Sequence, residues 1–138
     1  ADAIIDPTHE NVAGAVRELT RGIGADLAIE AAGVNPALQA CLDNVRDSGT
    51  VLVLSVGNPD TTFQLRPFDL FGHELRIVGS IARLDTFQRA LDLIPVLHLE
   101  PIVTHHFPLA ETATAVRQAK AGDGGKIMIH CDPTWTST

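Results

Sequence analysis

The 138-residue sequence predicts an α/β fold built on a parallel sheet, on three observations. Helical and extended patterns alternate along the chain. The run Thr50-Val51-Leu52-Val53-Leu54-Ser55-Val56 is almost continuously apolar and rich in β-branched residues, as suits a strand buried on both faces. Glycine, proline and asparagine punctuate the elements. Strand, helix, strand, helix, strand is the signature of βαβ units with right-handed crossovers.

The elements follow in order. Ala1-Asp2-Ala3-Ile4-Ile5-Asp6-Pro7 reads as a strand ending in a turn. Thr8 is the expected cap of a helix carrying Val12, Val16 and Leu19 on one face, stopped by Gly22-Ile23-Gly24. Residues 26–32 form the next strand and end at Gly33. Asn35 and Pro36 suit the first positions of a helix whose stripe is Leu38, Cys41, Leu42 and Val45. Asp47-Ser48-Gly49 is read as a turn before the strand at 50–56. A short strand is expected at 62–65, a helical turn at 67–74 and a strand at 75–81. Asp85 is the expected cap of a helix bearing Phe87, Ala90, Leu91 and Ile94, which Pro95 ends. An extended stretch at 100–109, a short helix at 111–121 and a strand at 126–130 complete the chain. The pattern divides into a parallel α/β part, residues 1–100, and a C-terminal α/β tail, residues 101–138. The opening inside an element suggests truncation at the N-terminal side, and the polar last residues suggest a finished C-terminus.

Composition narrows the classes. Hydrophobic residues make up 45%, too many for a disordered chain. The formal net charge of −7 argues against nucleic acid or an anionic membrane surface as partner. No apolar run approaches the roughly 20 residues of a membrane span. Cys41 and Cys131 lie far apart and in no metal-binding pattern, which fits reduced thiols in a cytoplasmic protein.

In open parallel sheets ligands bind beyond the carboxyl ends of the strands. That rule selects Glu30-Ala31-Ala32-Gly33 and Ser55-Val56-Gly57-Asn58, where small residues let a flat ring approach the backbone. The same residues also suit a plain tight turn. Glu30 reads as an acceptor for nearby backbone amides rather than a general base, since no partner is visibly paired with it. His105 and His106 are adjacent on an extended stretch and point to opposite faces, so no metal site is expected. Gly22-Ile23-Gly24 and Gly122-Asp123-Gly124-Gly125-Lys126 each precede a strand, so neither is a phosphate-binding glycine loop, and Lys126 reads as a solvated turn residue.

Taken together, several segments resemble the C-terminal part of the medium-chain dehydrogenase/reductase family. They are Ala1-Asp2-Ala3-Ile4-Ile5, Val16-Arg17-Glu18-Leu19-Thr20, residues 24–33, Gly49-Thr50-Val51-Leu52-Val53, Leu75-Arg76-Ile77-Val78-Gly79-Ser80, Thr104-His105-His106-Phe107-Pro108-Leu109 and Gly125-Lys126-Ile127-Met128-Ile129. Their order and spacing carry the resemblance more than any one piece. It implies a partial Rossmann sheet, strands 3 to 6, and NAD or NADP as cofactor. The nicotinamide end would lie against Ala31, Val56, Gly57, Ser80 and Ala82. It further implies that the last helix and strand return to a catalytic domain, which carries any zinc ligands. The edge strand at 75–81 would pair across a dimer axis. The family's glycine loop and ribose-reading acid match nothing in this sequence, so weak or no dinucleotide binding is expected of this chain alone. Strand 3, at residues 1–5, would lack its neighbour, and the strand at 26–32 would expose an apolar edge.

The implied activity is hydride transfer between an alcohol and a carbonyl in a larger NAD(P)-dependent enzyme. The stretch at 104–109 favours the zinc-dependent alcohol and polyol branch over the zinc-free quinone-reductase branch. No catalytic residue is assigned within the chain. The competing reading is a non-catalytic α/β module that self-associates through its sheet edges.

Overall fold

The computed structural model describes residues 1–81, 86–132 and 134–135. The chain forms two compact units, Ala1–Ala82 and Arg83–Thr138. This division falls earlier than residue 100. Ala82, expected beside the cofactor, and Asp85, expected as a helix cap, lie outside the described residues.

The first unit holds a three-stranded parallel sheet in the order β1-β2-β3, with β1 at Ala25–Glu30, β2 at Val45–Val53 and β3 at Arg76–Gly79. Helix α1, Val12–Leu19, packs on α2, Asn35–Asn44, and α2 packs on β1 and β2. Val51 in the central strand is fully buried, as its continuous apolar run requires.

Several boundaries differ from the sequence reading, each for a local reason. Residues 1–5 form no strand: a strand needs a lateral partner, and none of the described strands pairs with them. The cap of α1 is Asn11, whose Oδ1 accepts from the Gly14 amide at 3.0 Å. Thr8 instead joins a turn in which its amide and hydroxyl both donate to Asp6. Asn35 opens α2 without capping it, because its side-chain amide donates to the Thr62 carbonyl at 2.8 Å. Residues 62–65 are irregular rather than a strand. Asp47-Ser48-Gly49 lies within β2, where a register shift against β1 absorbs the extra residues and Ser48 takes φ 60. The strand also ends at Val53 rather than 56. The helical turn at 67–74 is α3, Pro67–Gly72.

The second unit contains α4, Phe87–Leu93, followed by a single 3-10 turn at Ile94–Val96 around Pro95. It also contains a compact parallel βαβ unit: β4 at Val103–Pro108, α5 at Thr112–Ala121 and β5 at Lys126–His130. Gly122 closes α5 in the left-handed conformation, φ 75. Helix α5 packs on both strands and buries Ala115. Among the described residues no helix is long and apolar enough to cross a membrane.

Candidate functional site

The carboxyl ends of the first unit's three strands lie side by side. The Leu54 amide donates to the Glu30 carbonyl at 2.9 Å, and the Ser80 amide to the Val53 carbonyl at 3.0 Å. These bonds bring Ala31, Val56, Gly57 and Ser80 to one end of the sheet, all exposed, with Val56 97% exposed.

Beneath them sits Glu30, only 3% exposed. Its Oε1 accepts from the Ala32 amide at 2.8 Å and the Gly33 amide at 2.7 Å, and its Oε2 accepts from the Ser55 hydroxyl. The Ser55 bond, with help from the backbone amides, holds the Glu30 carboxyl below the usual glutamate range, against the opposing effect of burial. Glu30 is therefore an anion that ties two turns together, and a poor general base. The acceptor reading stands, but Glu30 does have a side-chain partner. Ser55 is 25 residues away in sequence, two residues beyond the end of the neighbouring strand. The available signal was a hydroxyl closing an otherwise apolar run.

The two turns above Glu30 touch backbone to backbone. A Cβ on Gly33, which has φ +76, would lie 3.3 Å from both the Gly57 Cα and the Val56 carbonyl oxygen. A Cβ on Gly57 would lie 3.1 Å from the Gly33 carbonyl oxygen. A side chain at either position would need the opposite turn to give by a few tenths of an ångström. The result is a close backbone contact between the two turns, with Ala31, Val56 and Ser80 exposed around it.

The amino ends of the same strands border a cavity of about 1040 Å³ that the sequence reading did not anticipate. Arg17, Arg46, Arg66, Asp47, Asp69 and His73 are among its lining. These charges largely satisfy one another, through Arg46 with Asp26, Arg66 with Asp69 and His73 with Asp47. Volume alone does not make this end the site, because its charges already have partners. The carboxyl end is the position that a parallel sheet offers to a ligand.

Among the described residues no group of three or more His, Cys, Asp or Glu side chains is placed to hold a metal ion.

Parallel strands joined through helices, with their carboxyl ends side by side, define a protein of the open parallel α/β type. The comparisons with known proteins narrow that class. The family model described as zinc-binding dehydrogenase matches residues 1–95, and the chain belongs to that family. Sorbitol dehydrogenase of Gallus gallus is 31% identical over 95% of this chain and 37% of its own length. Sorbitol dehydrogenase of Bombyx mori is 34% identical over 89% of this chain and 35% of its own. The chain thus spans little more than a third of these relatives. Among solved structures, alcohol dehydrogenase from Thermus sp. ATN1 superposes with a TM-score of 0.81 at 26% identity, over 91% of this chain and 38% of that one. A Sinorhizobium meliloti chain, assigned to the zinc-binding dehydrogenases and solved bound to NADP, gives a TM-score of 0.83 at 26% identity. The match covers 94% of this chain and 39% of that one.

Proposed function

We propose that this chain is the C-terminal part of an oxidoreductase that interconverts an alcohol and a carbonyl by hydride transfer with NAD or NADP. Its relatives named as sorbitol and alcohol dehydrogenases support the class. The Sinorhizobium meliloti neighbour supports the cofactor. The observation that carries the role of this chain is the Gly33–Gly57 backbone contact at the carboxyl ends of β1 and β2. In this reading Ala31, Val56, Gly57, Ser80 and Ala82 line the nicotinamide side of the crevice, and zinc is held by another part of the enzyme. Residues 1–100 belong to the dinucleotide-binding domain and 101–138 to the catalytic domain.

When bound, the dinucleotide supplies the hydride acceptor. This chain's own part is to hold a ring in place and exclude water from one of its faces, with Glu30 fixing the two turns rather than moving a proton. The grip on the pyrophosphate, a helix N-terminus preceded by a glycine loop, matches no segment of this chain. Isothermal titration with NAD+ and with NADP+ tests this. Weak or undetectable binding to the chain is expected, and tight binding would contradict the assignment of the phosphate grip to another part of the enzyme.

A second reading rests on the sheet edges. β1 exposes Leu27 and Ile29 and β3 is exposed along its whole length, so two unpaired edges face solvent in the described unit. A non-catalytic module that self-associates through them, or a dimer that pairs through residues 75–81, would show concentration-dependent sedimentation. A monomer at high concentration would contradict both.

A further inference from the structure

The second unit contains an aromatic cluster that the proposed function does not use. On β4 and β5, His106, Met128 and His130 share one face by strand alternation, while His105, Phe107, Ile127 and Ile129 take the other. His106 Nδ1 lies 2.8 Å from His130 Nε2, a single N–H···N bond. The indole of Trp135 stacks on His130 with ring centres 4.0 Å apart and planes 1° from parallel. A turn at Asp132 brings Trp135 back over the sheet. The Trp135 amide donates to the Asp132 carbonyl, and the Thr134 amide and hydroxyl both donate to Asp132 Oδ1.

We propose that His106, His130 and Trp135 form a proton-dependent latch that clamps the C-terminal segment onto the β4–β5 sheet. The logic is a count of protons. A bond between two imidazoles needs one N–H and one lone pair at the contact. Two neutral rings supply these, and so does a pair holding one extra proton. A pair with both rings protonated sets two N–H groups against each other and breaks the bond. The first extra proton also favours the stack, because a cation on the His130 ring sits over the indole face. Asp132 adds a carboxylate beside it. Thr134 holds that carboxyl below the usual aspartate range, chiefly through its hydroxyl, and the nearby His130 acts in the same direction. The latch therefore tightens with the first proton and releases with the second.

Other charges near these strands are few. Lys126 stands on the same face of β5, four residues from His130. Glu111, Arg117 and Lys120 lie on or beside α5, and none of them bonds to either imidazole among the described residues.

Trp135 is the sole tryptophan and the chain has no tyrosine, so intrinsic fluorescence reports on this cluster alone. The experiment is a pH titration of the 138-residue chain across the histidine range, between about pH 5 and about pH 8. It compares the parent chain with His130→Gln and His106→Gln, with acrylamide quenching as a second readout. Protonated imidazole stacked on indole quenches its emission. In the parent chain a loss of emission with the first proton is expected, then its recovery with rising acrylamide access as the second releases the latch; both are absent in His130→Gln, and Trp135 is more accessible to acrylamide in both variants. In His106→Gln the emission loss is expected to persist with a displaced midpoint. A pH-independent emission, or the same titration and accessibility in His130→Gln, would overturn the latch.

Discussion

The two ends of the β1–β2–β3 sheet are held together by different means. At the carboxyl ends a single buried carboxylate takes three donors, and two glycine backbones press against each other above it. At the amino ends the ties are exposed, an ion pair of Arg46 with Asp26 and a hydrogen bond of His73 with Asp47. Three non-glycine residues, Arg21, Ser48 and Glu74, also take left-handed backbone there, at φ 55, φ 60 and φ 50. Removing a buried acceptor strands its donors without water, whereas an exposed pair gains little from its attraction and loses it to screening. The carboxyl end is thus tied by buried and backbone contacts, which suits the proposed role of positioning a ring. The amino end borders a cavity but has mostly partnered charges and a strained connection.

The comparison breaks most sharply at Glu30. Glu30→Ala leaves the Ala32 and Gly33 amides and the Ser55 hydroxyl without their acceptor, so it is expected to cost more stability than any change at the amino end. A lowered urea midpoint is the readout, and an unchanged midpoint would show that water replaces the carboxylate freely. Next comes Gly33→Ala. Placing a Cβ at φ +76 costs about 1–2 kcal/mol, and contact with Gly57 adds to it. The same denaturation series measures this.

A pH series sharpens the same point. Because the Glu30 carboxyl is held low in the folded state, its contribution is present above the ordinary glutamate pKa and is lost as pH falls through the depressed folded value. Ser55→Ala removes the main cause of the depression, so acid unfolding is expected to move to higher pH. An identical acid transition would assign the depression to the backbone amides alone. The smallest effect is expected at the other end. Asp47→Ala removes an exposed partner of His73 and should cost about 1 kcal/mol or less.

Local signals in the sequence carried much of the fold. The strand at 126–130 matches β5, and helix α5 begins one residue after its expected start, because periodic apolar residues and flanking glycines act over a few positions. Residues that depend on distant partners were harder to read. Asn35 looks like a cap until the Thr62 carbonyl claims its side chain. Asp47-Ser48-Gly49 looks like a turn until strand pairing absorbs it as a register shift. The close approach of the two turns at the carboxyl ends followed from small residues closing apolar strands. Their lock did not, because Ser55 meets Glu30 only once two strands align. Nor did the latch, because the alternation that separates His105 from His106 says nothing of His130 and Trp135.

In the proposed function the cofactor's ring lies at the carboxyl ends of β1 to β3. Nuclear magnetic resonance of the isotopically labelled chain, titrated with NAD+ and with NADP+ at high concentration, registers even weak contact residue by residue. The account predicts amide shifts concentrated at Ala31, Val56, Gly57 and Ser80. Shifts centred instead on Arg17, Arg46, Arg66 and His73 around the amino-end cavity would contradict it.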